Sequence, residues 1–263
     1  MYGAIIGDIV GSRYEFGNFK GKNFPLFSSG CCFTDDTVMT VAVAEALLTD
    51  GDFAGKMQKW GRRYPRAGYG QKFIHWIFAA DPRPYGSWGY GSAMRVSPCG
   101  LVAKTLEEAL DLAERSAVVS HDHPEGIKGA RAVAAAVWLA KNGSSREEIH
   151  DYIVDNFYPL NENLDEIRPR YRFDSSCRGS VPQAIQAFLE STDFEDAIRN
   201  AVSLGGDSDT IAAITGSIAW PFYSRESGSS ERMTAVWKEA AGYLPADMLA
   251  VIREFSTSID TGR

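Results

Sequence analysis

The chain has 263 residues, 44% of them apolar and 23% charged, and carries a net charge of −7. This is the composition of a soluble globular protein, long enough for one large domain or two small ones. The acidic balance argues against general nucleic-acid binding, which leaves a basic footprint, but not against a phosphate-bearing ligand whose charge a bound metal meets.

The N-terminal Met1-Tyr2-Gly3-Ala4-Ile5-Ile6-Gly7-Asp8 lacks a basic leader and a small-residue cleavage site, so no signal peptide is expected. Gly3, Gly7 and Gly11 recur every four residues among Ile5, Ile6, Ile9 and Val10. That spacing predicts a helix with a smooth glycine stripe, open to close approach by another backbone. Asp8 and Glu15 would share a face if the helix ran about two turns further, but Gly11-Ser12 predicts an earlier stop. Residues 16–33 read as an irregular connection, long enough to suggest a functional or lid-like segment. The four cysteines, Cys31, Cys32, Cys99 and Cys177, form no C-x-x-C and no zinc-like spacing with histidine, so reduced thiols are expected. No apolar run reaches the roughly 18 residues of a membrane span, and a cytoplasmic location is the expectation.

Thr34-Asp35-Asp36-Thr37 opens a helical pattern from Val38 to Leu48, closed by Asp50-Gly51. Helices are predicted over 53–66 and 69–80, the latter with Phe73, Trp76 and Ile77 as a core stripe. Residues 81–100 are a loop rich in glycine, proline and aromatics that feeds Ser92 into a helix start, a place where backbone N–H groups meet anions. Residues 101–117 are predicted as one helix. Ser120-His121-Asp122-His123-Pro124-Glu125-Gly126 then punctuates before a helix over 127–140, closed by Asn142-Gly143. His121 and His123 have no third soft ligand for zinc nearby; one of them contacting a ligand or a helix terminus is the expectation. Further helices are predicted over 146–157, 180–190 and 193–204, with a polar stretch over 159–178. Two terminal helices follow over 232–242 and 246–255. No run alternates with period two, so the fold class expected is all-α, a single domain of roughly ten or more helices.

The most informative stretch is Gly205-Gly206-Asp207-Ser208-Asp209-Thr210, followed by the apolar Ile211 to Ile214. Two glycines, a polar triplet and a helical pattern mark a helix start. One Asp suffices to cap a helix; two Asp, a Ser and a Thr exceed that need. Thr34 to Thr37 is an echo of the same chemistry. If the two turns converge, four carboxylates and several hydroxyls share one small volume. Like charges so close raise one another's pKa or require a counter-cation. Hard oxygen donors suit Mg²⁺, Mn²⁺ or Ca²⁺ rather than zinc.

Gly3 to Asp8 with Glu15, Thr34 to Thr37, Gly91-Ser92-Ala93-Met94-Arg95, His123-Pro124 and Gly206 to Thr210 together resemble the ADP-ribosylglycohydrolase family. The motifs fall in the family's order from residue 3 to about 223. The resemblance implies an orthogonal helical bundle holding two divalent cations, usually Mg²⁺ or Mn²⁺. It implies metal ligation by Thr34, Asp35 and Asp36 from one side, and by Asp207, Asp209 and Thr210 from the other. The loops carrying Gly91, Ser92, Met94 and His123 would line the ADP-ribose cleft, and Glu15 or Asp36 would be the acid–base group. The implied activity is release of ADP-ribose from an ADP-ribosylated protein or a small ADP-ribosyl molecule, through an oxocarbenium-like state.

Two other readings remain open at this level. Asp-x-Asp also occurs in sugar-nucleotide transferases and aspartyl phosphatases, normally after an apolar strand; the helical pattern over 193–204 disfavours both. The other reading is a non-catalytic relative that binds metal and ADP-ribose or serves as structure.

Overall fold

The computed structural model describes residues 1–226, 228 and 230–261. Among the described residues the regular structure is helical, and the pairing of Gly89 with Ser176 is an isolated antiparallel bridge rather than part of a sheet. In chain order the helices are α1 Tyr2–Gly11, α2 Asp35–Leu48, α3 Phe53–Arg63, α4 Gln71–Phe78, α5 Ser97–Val102, α6 Leu106–Val118 and α7 Pro124–Asn142. There follow α8 Arg146–Asn156, α9 Leu164–Ile167, α10 Cys177–Leu189, α11 Phe194–Ser203, α12 Ser208–Tyr223, α13 Ser230–Ala241 and α14 Ala246–Thr261. A 3-10 turn, Tyr90–Ser92, precedes α5. The all-α class follows the apolar periodicity of the sequence, and among the described residues no helix is long and apolar enough to cross a membrane.

α12 is apolar nearly all round and is buried nearly all round, as such a helix must be. Its principal partner is α1, and the glycine stripe sets how near the two lie. A Cβ on Gly7 would stand 2.0 Å from the Ala212 carbonyl oxygen, one on Gly3 2.0 Å from that of Gly216, and one on Gly11 2.4 Å from that of Ser208. Only backbone fits there, so α1 and α12 pack chain against chain, with α10, α11 and α7 around them. This contact carries Asp8, on α1, to the first turn of α12.

Three local features depart from the expectations. The helix predicted over 101–117 is two helices, α5 and α6. Thr105 caps α6 by accepting from the Glu108 N–H at 3.1 Å, and Glu108 Oε2 accepts from the Lys104 N–H at 2.7 Å. A Ser/Thr-x-x-Glu capping pattern inside an unbroken apolar period marks the break. The polar stretch over 159–178 contains α9, started by the same device with Asn163 and Glu166. α10 begins at Cys177 under a Ser176 cap, ahead of the predicted start.

The segment over 16–33 is irregular, as expected, but it is strapped down. Lys20 Nζ donates to the carbonyls of Tyr171 and Leu204, and Arg199 Nη1 donates to those of Lys22 and Phe24 at 2.8 and 2.7 Å. Tyr14, Phe19 and Phe24 form an aromatic cluster with ring centroids 4.9–5.6 Å apart. These contacts hold Glu15, at the segment's near end, against the body of the protein.

Candidate active site

Both acidic turns are helix N-termini, and the fold brings them together. Thr34 caps α2, its Oγ1 accepting from the Asp36 N–H at 3.3 Å. Asp207 caps α12, its Oδ1 accepting from the Thr210 N–H at 3.4 Å. Gly205 and Gly206, both at φ +67°, make the reversal from α11 into that cap, a left-handed conformation that a side chain resists. Thr210 Oγ1 then donates to Asp36 Oδ2 at 3.1 Å and joins the turns directly.

Asp8 lies beneath the pair, fully buried. Its Oδ1 accepts from Thr34 Oγ1 at 2.7 Å; its Oδ2 accepts from the N–H groups of Thr34 at 2.9 Å and Thr37 at 3.0 Å. With its lone pairs so engaged, Asp8 works as a clamp on the start of α2. Burial pushes its carboxyl up to about 6 against the opposing pull of those hydrogen bonds.

Oxygens of Asp8, Asp36 and Asp209 lie within 4.8 Å of one another, and so do oxygens of Glu15, Asp207 and Asp209. Asp209 belongs to both groups, which gives the cluster two lobes sharing one carboxylate. Burial, then neighbouring carboxylates, pushes Asp35 and Asp36 well above the usual carboxylate range. Asp209 is raised by burial and then by Asp207. Glu15, half-exposed at the edge, is pushed up to about 7 by burial, then by Asp207 and Asp8.

These residues fit divalent cations. Asp36 Oδ1 is buried without a hydrogen-bond partner, a costly state for an anionic oxygen that a hard cation relieves. The donors are all carboxylate and hydroxyl oxygens, the set that Mg²⁺ and Mn²⁺ prefer.

The cluster floors a cleft of about 550 Å³. Glu15, Asp35, Asp36, Asp207, Asp209 and Thr210 all face it, as do Gly91 and Met94. Thr34 sits just behind, between Asp8 and Asp36. Ser92 and His123 are placed elsewhere. Ser92 is fully buried, its hydroxyl donating to the Gly126 carbonyl at 2.7 Å behind the cleft wall. His123 is exposed and caps α7, its Nδ1 accepting from the Glu125 N–H at 3.1 Å.

Sequence reasoning did not single out Tyr90, Trp88 and Phe173 of the wall, and it left open which of His121 and His123 turns inward. The Tyr90 hydroxyl donates to Asp207 Oδ2, and burial, then Asp207, raises its pKa. Trp88 and Phe173 stand at the cleft with 59% and 54% of their surfaces exposed, which leaves their aromatic faces open to a ligand. His121 rather than His123 reaches the cleft. The available signal was the density of aromatics and glycines over 81–100 and the His-x-His pair, neither of which says which side chain turns inward.

The family model for ADP-ribosylglycohydrolase matches residues 1–219. The chain is 26% identical to the ADP-ribosylhydrolase ARH3 of Bos taurus over 333 residues, covering 95% of this chain and 90% of that protein. It is 26% identical to the ADP-ribosylarginine hydrolase Tri1 of Pseudomonas putida (strain GB-1), covering 85% of this chain and 69% of that one. Among solved structures, a chain described as an ADP-ribosylglycohydrolase-related protein complex superposes with a TM-score of 0.67 at 24% identity, covering 92% and 94% of the two chains. A family match of this extent, on a helical fold of the same kind, means that the chain belongs to the ADP-ribosylglycohydrolase family.

Proposed function

We propose that this protein is a divalent-metal-dependent hydrolase that removes ADP-ribose from an ADP-ribosylated protein or small molecule by cleaving the glycosidic bond at the distal ribose. The observation that carries the reading is the two-lobed carboxylate cluster sharing Asp209, with Asp36 Oδ1 unpartnered, at the floor of a cleft that also holds a raised glutamate. Thr34, Asp35, Asp36, Asp207, Asp209 and Thr210 would hold two cations, Mg²⁺ or Mn²⁺. Such cations, when bound, polarise hydroxyls and lower the pKa of water.

The chain's own residues divide the remaining work. Trp88 and Phe173 offer aromatic faces to an adenine ring. The His121 ring, at the cleft wall, offers a donor to the diphosphate. Glu15 is protonated for part of the time near neutral pH, so it can give a proton to the departing group and take one from water afterwards. Asp8 accepts from Thr34 and Thr37, and Tyr90 donates to Asp207, so the two act by holding Asp36's turn and Asp207 in place.

Incubating the pure protein and Mg²⁺ with arginine-, serine- and O-acetyl-linked ADP-ribose tests the reading. Free ADP-ribose should appear from at least one substrate and vanish with chelator or with Asp36→Asn. A folded protein that binds ADP-ribose and Mg²⁺ but turns over none of them would overturn it in favour of a non-catalytic member.

A further inference from the structure

His121 is a neighbour of the cleft whose hydrogen-bonding state is decided from behind. Arg95 is fully buried; its Nη2 donates to the Ser116 carbonyl at 2.9 Å and to Ser120 Oγ at 3.0 Å. A guanidinium has no acceptor, so at Ser120 the direction of that bond is set. Ser120 Oγ therefore keeps its own proton for its other neighbour, His121 Nδ1, at 2.8 Å. The Ser120 oxygen has lone pairs for two donors, but among the described residues its proton has no other acceptor than Nδ1, so donation to Nδ1 is the arrangement that satisfies both groups and leaves the ring proton on Nε2.

His121 and Gly91 both line the cleft, and Nε2 is the ring atom on the Gly91 side. A Cβ on Gly91 would stand 2.7 Å from it, so the missing side chain at position 91 keeps that face of the ring uncovered. We infer that Arg95 and Ser120 are positioning residues whose hydrogen-bond relay fixes His121 as the neutral Nε2–H tautomer, a donor toward an anionic ligand, and that Gly91 is the window through which it donates.

Protonating Nδ1 would set the imidazolium and the guanidinium donating into one hydroxyl oxygen, with a positive charge on either side. The charged and titratable groups that face the ring are Arg95, through Ser120, and Tyr85, whose ring centroid lies 5.9 Å away. The adjacent Asp122 is turned to the Gly86 N–H, and His123 to the Glu125 N–H. Burial first, then the Arg95 charge, holds the His121 pKa well below its ordinary value. The relay thus excludes the imidazolium that would bind an anion more strongly but change with pH.

The tautomer does not depend on the ADP-ribose reading; the ligand that receives the Nε2–H does rest on it. Nitrogen–proton correlation spectra of ¹⁵N-histidine-labelled protein, with His121 assigned by its absence in His121→Asn, test the first part. His121 should show an unprotonated Nδ1 and a protonated Nε2 across pH 5–8. Ser120→Ala should mix the tautomers and let the ring titrate, and Ser120→Thr should restore the original pattern. A titrating or Nδ1-protonated His121 in the unaltered protein, or a Ser120→Ala spectrum unchanged from it, overturns the inference. For the second part, ADP-ribose should shift the His121 Nε2 signal. Gly91→Ala should weaken ADP-ribose binding about tenfold, the loss of one hydrogen bond to a charged group, without changing Mg²⁺ affinity. ADP-ribose that binds without moving Nε2 overturns the window. ADP-ribose that does not bind at all counts against the proposed function, while the pH series still decides the tautomer.

Discussion

Thr210 Oγ1 donates to Asp36 Oδ2 across 3.1 Å, although the two residues are 174 positions apart. The bond ties the first turn of α12 to the first turn of α2. It spends the Thr210 proton inside the protein and leaves Asp36 Oδ1 without a hydrogen-bond partner. Replacing Thr210 by Val keeps the shape and deletes the link. Mg²⁺ affinity measured by calorimetry should fall at least tenfold, about the lower bound for loss of even an outer-shell partner. Thr210→Ser should retain most of it.

Without metal, the cluster makes stability depend on pH in a definite direction. Asp8 moves from 3.8 to about 6 on folding, and Glu15 from 4.5 to about 7. A carboxyl raised on folding binds its proton more tightly in the native state, so stability falls as pH rises. The loss begins near the unfolded values, close to 4, and is complete above about 7. Asp8 alone contributes on the order of 3 kcal/mol to it. Thermal unfolding of chelator-treated protein should therefore show Tm decreasing from pH 4.5 to 7.5. Saturating Mg²⁺ should raise Tm more at pH 7.5 than at pH 5, since cations and protons compete for the same oxygens. The buried Met1 amino group and His121, both pushed down by burial, pull the other way, so the deciding comparison is the slope with and without the Glu15 carboxyl: a Tm–pH slope that Glu15→Gln leaves unchanged would contradict the raised Glu15.

Glu15→Gln removes a proton donor, and with it one carboxylate of the lobe shared with Asp207 and Asp209, at the half-exposed edge of the site. The proposed role predicts kcat lower by about 10²–10⁴-fold, the usual contribution of general acid–base catalysis. ADP-ribose affinity should hold within a few-fold. A variant that loses ADP-ribose binding and turnover in equal measure would make Glu15 a binding group instead.

The α1–α12 contact is equally open to measurement. A methyl on Gly7 would meet the Ala212 carbonyl at 2.0 Å, where neither backbone can withdraw without moving Asp8 away from Asp209's turn. Gly7→Ala should destabilise by about 3 kcal/mol, at the top of the usual range for overpacking. Denaturant midpoints check this. Mg²⁺ affinity should fall with it, whereas Gly70→Ala, with open space around its Cβ, should leave both unchanged.

Much of the site's chemistry was already written in the sequence. Two carboxylate-rich helix starts, each with threonine beside it, need no tertiary structure to be recognised as hard-cation chemistry, because capping one helix needs only one such group. The every-fourth-residue glycines announced that some backbone would lie against α1. The apolar periods gave the helices, except where a Thr-x-x-Glu or Asn-x-x-Glu cap divided or started one inside a longer pattern. Other matters belong to the tertiary structure alone. Asp8 clamps the start of α2 because Thr34 and Thr37 donate three hydrogen bonds to its oxygens. His121, not His123, faces the cleft because His123 Nδ1 is spent on capping α7. Ser92 turns into the wall because its hydroxyl finds the Gly126 carbonyl there. A sequence shows which donors and acceptors a chain owns; which of them satisfy one another, and which are left over for a ligand, is settled only when distant segments pack.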